Sequence, residues 1–592
     1  MVAEQLQMRR NVNQPPGNGE AILPTHDRRK QPNPNQADRG RLDRLDGLNE
    51  LGELDRPDPS DRDAILRFAR SMEGRTLREL LAAQGQGDVG DGATEVLVGG
   101  LTERSTDGLQ GNARNKGSFG SLVEQAVFGL QPNNASVPDF AAAGLELKTT
   151  PLKRVRNGVS AKERLVMGMI DYHQVVNETY ECSHLMAKAR DVLLISYLWN
   201  AQTDALDWPV ALVEELRLDQ LPAEDQAQIR ADWNTVVEKV RAGHAHEISG
   251  SDTLYLEACT KGANASQRRS QPFSDERAKP RAWALKASYM STLSRQWIAE
   301  RMARGQTVPG IDAAAWAAGE GAGELQAIAR RAMERDLDLL ALVRRRFAPF
   351  FGMTERELGA HFGYGACRRT ASTHAEGKRA SDNPTDGHQG RMPKNLCALI
   401  TRAILGVDEG ARIAEFEKAG IHPKTIRLRR NGRPKEALSF PAFDYFELAE
   451  TPFEDSAFAK QLEQRYLFVL YREDEQQRDT YRLSNVMFWQ MPDSDLEEAA
   501  RCYEEMRRRV ADGRADESVK ATENRCCHVR PHARNSRDTL PAPGGLRVVK
   551  KSFWLNVDYL GEQIAKQEAK QSNARAPAAK REHAREEGQT RF

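Results

Sequence analysis

The stretch "SVPDFAAAGLELKTTPLKR", residues 136–154, places a Pro-Asp pair shortly before Glu-Leu-Lys at the start of a predicted strand. Side chains alternate along a strand, so Glu146 and Lys148 share one face while the two flanking leucines point to the other, into the core. Asp139 precedes Glu146 closely enough for a hairpin bend or loop to bring both carboxylates together. The stretch therefore predicts a strand that opens with a polar cluster.

Paired carboxylates of this kind suit Mg²⁺, which binds one or two carboxylates, keeps several waters and takes other ligands from a phosphate. A neighbouring lysine can orient or help deprotonate a water and offset charge that builds on the phosphorane. The same spacing recurs at Glu568 and Lys570, with Asp558 upstream, but that stretch predicts helix or tail, where residues i and i+2 diverge. Strand context thus favours a metal-dependent nuclease site at the first motif over a solvated strand face.

Composition restricts the class of protein only broadly. A chain of 592 residues exceeds what one hydrophobic core usually serves, so two or more domains are expected. The formal net charge of +1 excludes a globally basic DNA-coating protein, whereas a nuclease needs only a local basic cleft. Seven scattered cysteines, with no signal peptide and no long apolar run, predict reduced thiols and a cytoplasmic location.

The chain contains an internal repeat. "GRTLRELLAA" at Gly74 recurs as "GMTERELGAH" at Gly352, and "DFAAAGLELKTTPL" at Asp139 recurs as "EFEKAGIHPKTIRL" at Glu415. The two separations, 278 and 276 residues, agree within a small loop change. In both copies the first segment opens with a Thr-x-x-Glu capping box. The chain is therefore expected to hold two copies of one domain.

Composition places the boundaries of these copies. Polar, Pro-rich or charged ends predict disordered tails, and an Ala- and Gly-rich segment predicts a helical linker. The predicted segments are a tail at 1–60, a first copy at 61–304, a linker at 305–335, a second copy at 336–566 and a tail at 567–592.

A helix is predicted before the strand. "NKGSFGSLVEQAVFGL" has apolar residues at helical spacing from Phe119 to Leu130, with Gly129 near the end. Glu124 lies off that apolar stripe, and periodicity alone favours solvent exposure over a place in a cleft.

Several separated motifs, in order, resemble one family. "NKGSFGSLVEQAVFG", "PDFAAAGLELKTTP", "SHLMAKARDVLLISYLW", "DTLYLEACTKGANA" and "RAWALKASYMSTL" resemble the MutH family of the PD-(D/E)xK endonuclease superfamily, over about residues 65–300. The resemblance implies an α/β fold with two tandem MutH-like domains, each a mixed sheet flanked by helices. It also implies that Asp139, Glu146 and the Leu147 carbonyl bind Mg²⁺, that Lys148 assists the attacking water, and that Glu124 completes the catalytic site.

The resemblance also indicates residues for DNA binding. The family's reading loop matches "EACTKGANASQRR", where Cys259 and Thr260 replace the family's Arg-Pro pair, so Lys261 is the expected reader in the first copy. Lys286 stands where the family has a lysine close to DNA. The alternative for both lysines is a phosphate contact or plain surface charge. The second copy keeps an Arg-Pro pair at Arg530 and adds Lys550 and Lys551 as expected contacts.

The second copy has lost most of the chemistry. Glu415 replaces Asp139, His422 replaces Glu146 and Thr401 replaces Glu124, while Lys424 matches Lys148 and Pro423 enters the strand. Neutral imidazole and a distorted strand make a poor Mg²⁺ site. This copy is expected to bind DNA without cutting it.

One active and one inactive MutH-like domain is the arrangement of the two-domain, GATC-cutting type II restriction endonucleases related to this family. The resemblance therefore implies Mg²⁺-dependent double-strand cleavage of DNA, at GATC, with the second domain holding another site. Its implied partners are double-stranded DNA and a cognate DNA methyltransferase. The resemblance does not decide whether two chains form a dimer on DNA. The alternatives are a strand-nicking mismatch-repair enzyme and a non-catalytic, sequence-specific DNA-binding protein.

Overall fold

The computed structural model describes most of the two predicted copies. The described residues are 56–83, 118–131, 137–155, 158–200, 202–261, 267–318, 325–328, 338–364, 395–408 and 411–572. Most of both predicted tails lies outside them. All of the described residues belong to one compact unit, Asp55–Phe592.

Two sheets and a hairpin form the first copy. Its described strands are β1 Glu146–Val155, β2 Gly158–Ala161, β3 Leu165–Met169, β4 Asp191–Leu198, β5 Val210–Arg217, β6 Leu256–Thr260, β7 Arg269–Gln271, β8 Ser274–Ala278 and β9 Arg281–Leu285. One sheet has the order β2-β1-β4-β5, in which β1 is parallel to β4 and the other neighbours are antiparallel. The second sheet has the antiparallel order β3-β9-β6, and β7 pairs with β8.

The second copy repeats this topology. The remaining strands are β10 Leu325–Gln326, β11 Arg412–Ile413, β12 Ile421–Leu428, β13 Leu438–Ala442, β14 Arg465–Glu473, β15 Tyr481–Trp489, β16 Cys527–Pro531, β17 Thr539–Ala542, β18 Leu546–Val549 and β19 Lys551–Leu555. The order β12-β14-β15 matches β1-β4-β5, with the same parallel and antiparallel pairs, and β13-β19-β16 matches β3-β9-β6. The hairpin β17-β18 corresponds to β7-β8. The predicted duplication is therefore confirmed by strand order.

Helices cover the sheets of both copies. The described helices are Arg62–Ser71, Leu77–Ala82, Ser118–Leu122, Tyr172–Val175, His184–Ala189, Ala223–Arg241, Ala287–Ala303, Ala313–Ala318, Leu339–Phe347, Glu355–His361, Leu396–Leu405, Ala414–Ala419, Tyr445–Glu450, Ala457–Leu462, Asp493–Ala511 and 557–572. Both predicted capping boxes form, at Thr76 with Glu79 and at Thr354 with Glu357. No helix among these described segments is long and apolar enough to cross a membrane.

A buried polar pair occurs at equivalent places in the two copies. Tyr289 donates its hydroxyl hydrogen bond to Oδ2 of Asp225 at 3.0 Å, and Tyr559 donates in the same way to Oδ2 of Asp495 at 3.0 Å. In each copy the aspartate lies in the first turn of a helix of 19 residues. The repeat thus extends beyond the two sequence matches that predicted it.

The two copies pack directly against each other. One apolar cluster includes Trp233 of the first copy and Leu467 of the second, whereas another cluster lies within the second copy. Lys418 Nζ lies 2.6 Å from Oδ1 of Asp225, which joins the copies by a partly buried ion pair. The residues predicted to be catalytic in the first copy therefore belong to a compact unit that contains both copies.

Candidate active site

A tight turn brings Asp139 and Glu146 together. Phe140 and Leu145 form an antiparallel bridge, and Gly144 takes a positive φ of 66°, a conformation that glycine adopts without steric cost. The main-chain N–H of Leu147 donates to Oδ2 of Asp139 at 2.9 Å, and that of Asp139 donates to Oε2 of Glu146 at 3.3 Å. The two carboxylates are held side by side at the start of β1.

Two lysines lie beside the buried carboxylate of Glu146. Its side chain is fully buried, and Lys148 Nζ donates both to Glu146 Oε1 and, at 3.3 Å, to the Leu147 carbonyl. Lys188 Nζ lies 3.6 Å from the same Oε1. The predicted carboxylate–lysine cluster therefore exists, and a second lysine joins it.

Lys188 was not predicted from the sequence. It lies on the short helix His184–Ala189, which begins at Ser183 and directly precedes β4. Because β4 is parallel to β1 and pairs Val192 with Glu146, the end of this helix reaches the start of β1. Knowledge of that parallel pairing would have indicated Lys188.

Glu124 reaches the site from a helix that differs from the prediction. The expected single α-helix is α-helical only at Ser118–Leu122 and continues as a π-helical turn at Val123–Val127, where Phe128 N–H bonds to the Val123 carbonyl. Such turns widen the helix by one residue and are frequent at functional sites. Glu124 is half-buried, so the expectation of a solvated side chain from periodicity alone is wrong.

The electrostatics of the cluster oppose ionisation of Glu124 and Glu146. Burial raises the pKa of Glu124, and the carboxylates of Asp139 and Glu146 raise it further against the opposing effect of the lysines. Burial also raises the pKa of Glu146, while Lys148 and Lys188 lower it. The site therefore concentrates negative charge that a cation would relieve.

The oxygens present fit a hard divalent cation. Two carboxylates and the Leu147 carbonyl lie at one strand end, which is the type of donor that Mg²⁺ prefers. Across the described residues, no three His, Cys, Asp or Glu side chains form a metal-binding group by themselves. A cation here would therefore rest on Asp139, Glu146 and the main-chain oxygen, which now accepts a bond from Lys148.

Comparisons with known proteins agree with this geometry. The family model described as "DNA mismatch repair enzyme MutH" matches residues 128–232 and 408–500, one region in each copy. Each copy therefore contains a MutH-like region. The two copies are tandem MutH-like domains.

Relatives with curated descriptions fall into two kinds. The type II restriction enzyme Sau3AI of Staphylococcus aureus is 29% identical over 505 residues, which cover 76% of this chain and 93% of that enzyme. The DNA mismatch repair protein MutH of Shewanella amazonensis is 26% identical over 243 residues, covering 40% of this chain and 96% of that protein. MutH of Escherichia coli K12 is 27% identical over 209 residues, covering 35% and 79%.

The second MutH-like domain arranges its equivalent residues differently. Glu415 lies on the short helix Ala414–Ala419, and its carboxylate accepts the main-chain N–H of Ile328 at 3.0 and 3.1 Å. His422 and Lys424 lie on β12. Thr401 is buried and donates its hydroxyl to the Cys397 carbonyl at 2.8 Å. The carboxylate pair of the first MutH-like domain has no equivalent at these positions.

Three of the predicted DNA-binding residues lie where a ligand could reach them. Lys261 is exposed at the end of β6. Arg530 is exposed on β16, and its guanidinium lies 3.6 Å from the centre of the Trp554 ring. Lys550 is half-buried and forms an ion pair of 2.5 Å with Asp538.

Lys286 and Lys551 have structural partners instead. Lys286 Nζ donates to the carbonyls of Gly250 and Thr253 at 3.1 and 2.7 Å, and burial lowers its pKa to about 8. Lys551 is buried and donates to two carbonyls, those of Ala515 and Asp516, at 2.9 and 2.7 Å, and burial lowers its pKa to about 8 as well. Because these ammonium groups satisfy main-chain oxygens, the interpretation of both lysines as DNA contacts is withdrawn.

Proposed function

We propose that this protein is a type II restriction endonuclease that hydrolyses phosphodiester bonds in both strands of DNA, with Mg²⁺ as cofactor. The observation that carries the proposal is the cluster of Asp139, Glu146 and Lys148 in the first MutH-like domain, in which Glu146 is buried and the other two side chains are half-buried. Alignment with a type II restriction enzyme along 93% of that enzyme supports restriction as the biological role.

The reaction follows from the charges in the cluster. Asp139, Glu146 and the Leu147 carbonyl would hold Mg²⁺, which would supply Lewis acidity to the phosphate and to the attacking water. Lys148 orients the attacking water and stabilises negative charge on the phosphorane. Lys188 offsets the charge of Glu146, and Glu124 closes the cluster from the π-helical turn.

The second domain is proposed to bind DNA without cutting it. His422 stands at the position of Glu146, Thr401 at that of Glu124, and the carboxylate of Glu415 is engaged by the main chain of Ile328. Arg530 and Lys550 are the proposed DNA contacts of this domain, and Lys261 is one in the first domain. A site of sequence GATC, bound by both domains, extends the proposal.

Two partners belong to this function. A protein that cuts both strands at a short site requires a cognate DNA methyltransferase to protect the host's own copies of that site. Because the chain carries one complete carboxylate–lysine cluster among its described residues, double-strand cleavage further favours two chains meeting on DNA.

A strand-nicking mismatch-repair enzyme is the second candidate. It is favoured by MutH relatives that match 96% and 79% of their own lengths. Those matches span only 40% and 35% of this chain, however, and leave the other MutH-like domain without a role. The tandem architecture therefore favours restriction, and a DNA-binding protein without catalysis would leave the carboxylate–lysine cluster unexplained.

Digestion of supercoiled, unmethylated plasmid by purified protein with Mg²⁺ tests the proposal, with EDTA as the control. Linear products whose sequenced ends share one short site are expected. Nicked circles without linear products, together with nicking of only one strand of a hemimethylated duplex, would move the assignment to repair. Intact plasmid that shifts in a gel would leave a non-catalytic DNA-binding protein as the remaining interpretation.

A further inference from the structure

Strand register aligns the reading positions of the two domains. Cys259 on β6 pairs with Ala282 on β9, and Arg530 on β16 pairs with Ser552 on β19. The next pairs, Thr260 with Arg281 and Pro531 with Lys551, occupy equivalent positions. Cys259 therefore stands in the first domain where Arg530 stands in the second.

In the second domain, an aromatic ring supports the arginine. Trp554 pairs with His528, two residues before Arg530, so all three side chains lie on one face of the sheet. The ring lies under the guanidinium at 3.6 Å, a cation–π contact that holds the guanidinium plane. These three side chains, His528, Arg530 and Trp554, form a row on that face. On the neighbouring strand β13, Leu438 is preceded by Ala437, whose side chain is too short to reach this row.

In the first domain, a small residue stands in place of the tryptophan of this row, and an arginine stands in place of the alanine on the neighbouring strand. Ala284 takes the place of Trp554, because it pairs with Glu257 on one side and Val166 on the other. Arg164 takes the place of Ala437, since it precedes Leu165, which pairs with Leu285 as Leu438 pairs with Leu555. Arg164 and Val166 share a face, so the arginine approaches this row from β3.

Side-chain contacts confirm that Arg164 spans this row. Its Nη1 lies 3.1 Å from Oε1 of Glu257, across the position where Trp554 would stand in the other domain. Cys259 lies close enough to the same guanidinium to interact with it electrostatically. Each domain thus has a guanidinium over the same face of its β3-β9-β6 or β13-β19-β16 sheet, although the arginines come from different strands.

We propose that Arg164 is the specificity-determining arginine of the first domain and reads a guanine of the cleavage site. This inference rests on the proposed function. A guanidinium offers a planar fork that pairs with guanine O6 and N7, which a lysine at this position would not reproduce. Lys261, exposed at the end of β6, then serves as a phosphate contact.

The environment of Arg164 agrees with this role. Its side chain is 36% exposed, and the second carboxylate beside it is Glu463 of the second domain, 2.9 Å from Nη2. A guanidinium has five N–H donors, so two carboxylates fix its orientation and leave capacity for a base. Glu257 holds it from within the first domain, as Trp554 holds Arg530.

The test compares cleavage of two duplexes by the full-length chain with Mg²⁺. One duplex carries a single GATC site, and in the other both G·C pairs of that site are replaced by A·T pairs. Arg164→Lys and Arg164→Gln are compared with Arg217→Gln, a matched control whose arginine is 34% exposed and lies 3.0 Å from Asp191. Unfolding temperatures are recorded for every variant, so that lost ion pairs are separated from lost reading.

The expected result is a fall of about 5- to 150-fold in the ratio of kcat/KM between the two duplexes for Arg164→Lys, with the ratio of Arg217→Gln equal to that of the wild type. An unchanged ratio in both Arg164 variants, whatever their absolute rates, would overturn the role of Arg164 in reading guanine. It would leave the proposed function intact. A wild-type protein that cuts unmethylated plasmid but neither duplex would overturn this inference alone, whereas one that cuts no DNA would overturn the proposed function and this inference with it.

Discussion

The main-chain N–H of Leu147 donates a 2.9 Å hydrogen bond to the carboxylate of Asp139, which fixes this acid beside the start of β1. Asp139 in turn donates its own N–H to Glu146 at 3.3 Å. The two acids are therefore positioned by the main chain before any cation binds. Preorganisation of this kind lowers the cost of assembling a metal site.

Replacement of Asp139 by asparagine should abolish stabilisation by Mg²⁺. Asparagine keeps the shape and an acceptor for Leu147 N–H but removes the charge that a cation would neutralise. At ten times its Kd, a bound ion stabilises the fold by about 1.4 kcal/mol, or about 3–6 °C in Tm for a domain of this size. Thermal unfolding with Mg²⁺ and with EDTA measures the shift. Glu415→Gln, at the equivalent position, should retain the wild-type shift, and an equal loss in both variants would contradict the site.

Replacement of Glu124 by glutamine should stabilise the protein at neutral pH. The pKa of Glu124 is raised in the folded state, chiefly by burial, so its contribution to stability is present below the unfolded pKa and is lost as pH rises through the folded pKa. Glutamine mimics the protonated acid and avoids that loss. Tm should therefore rise at pH 7.5, and the gain should vanish towards pH 4.

Glu505→Gln provides the opposite case for this experiment. A hydrogen bond from Arg508 lowers the pKa of Glu505, so the charged carboxylate is the stabilising form. Removal of that charge in Glu505→Gln should leave Tm unchanged or slightly lower at pH 7.5. A fall in Tm for Glu124→Gln at neutral pH would show that the Glu124 carboxylate is stabilising in its charged form, which would contradict a raised pKa for this acid.

Removal of the charge at Lys188 should shift the pH dependence of cleavage. Lys188 lies 3.6 Å from Glu146 and opposes the rise in the pKa of that acid, which burial causes. In Lys188→Met the pKa of Glu146 rises further, so the acidic limb of the pH–rate profile moves to higher pH. Lys188→Arg keeps the charge and should keep the limb near that of the wild type. Identical limbs in both variants would exclude electrostatic coupling between Lys188 and Glu146.

Arg530 should govern the response to a second DNA site. If the second domain binds site-bearing DNA, Arg530→Ala loses the guanidinium that stacks on Trp554 and weakens that binding by about 5- to 150-fold. Cleavage of a one-site plasmid would then no longer be stimulated by added site-bearing oligonucleotide, while its basal rate persists. Arg478→Ala, an exposed arginine in the same domain, is the control. Stimulation that survives in Arg530→Ala would argue against this surface.

The sequence predicted those features that depend on local pattern. Alternation in "LELK" predicted a strand with Glu146 and Lys148 at its opening, and the two Thr-x-x-Glu spacings predicted capping boxes at Thr76 and Thr354. Both follow from residues close together in the chain, where side-chain period and hydrogen-bond partners are fixed by spacing. The Asp139 turn belongs to the same class, because it spans few residues and contains a glycine.

Features that depend on packing were not predictable in this way. The π-helical turn at Val123–Val127 buries Phe128 and leaves Ala126 only half-buried, a change that a regular helical period does not predict. Lys188 joins the site only because β4 lies parallel to β1. Lys286 and Lys551 resemble surface charges in sequence, and only the fold shows carbonyl oxygens within reach of each ammonium.

The equivalent lysines of the two domains distinguish a single catalytic centre from two. Lys148→Ala and Lys424→Ala are assayed for cleavage of unmethylated plasmid with Mg²⁺ and for binding to a site-bearing duplex. Loss of at least about 100-fold in cleavage is expected for Lys148→Ala, with binding retained, because one electrostatic stabiliser of the transition state is removed. Lys424→Ala should cleave as the wild type does. Cleavage that survives in Lys148→Ala, or fails equally in Lys424→Ala, would contradict a single catalytic centre in the first domain.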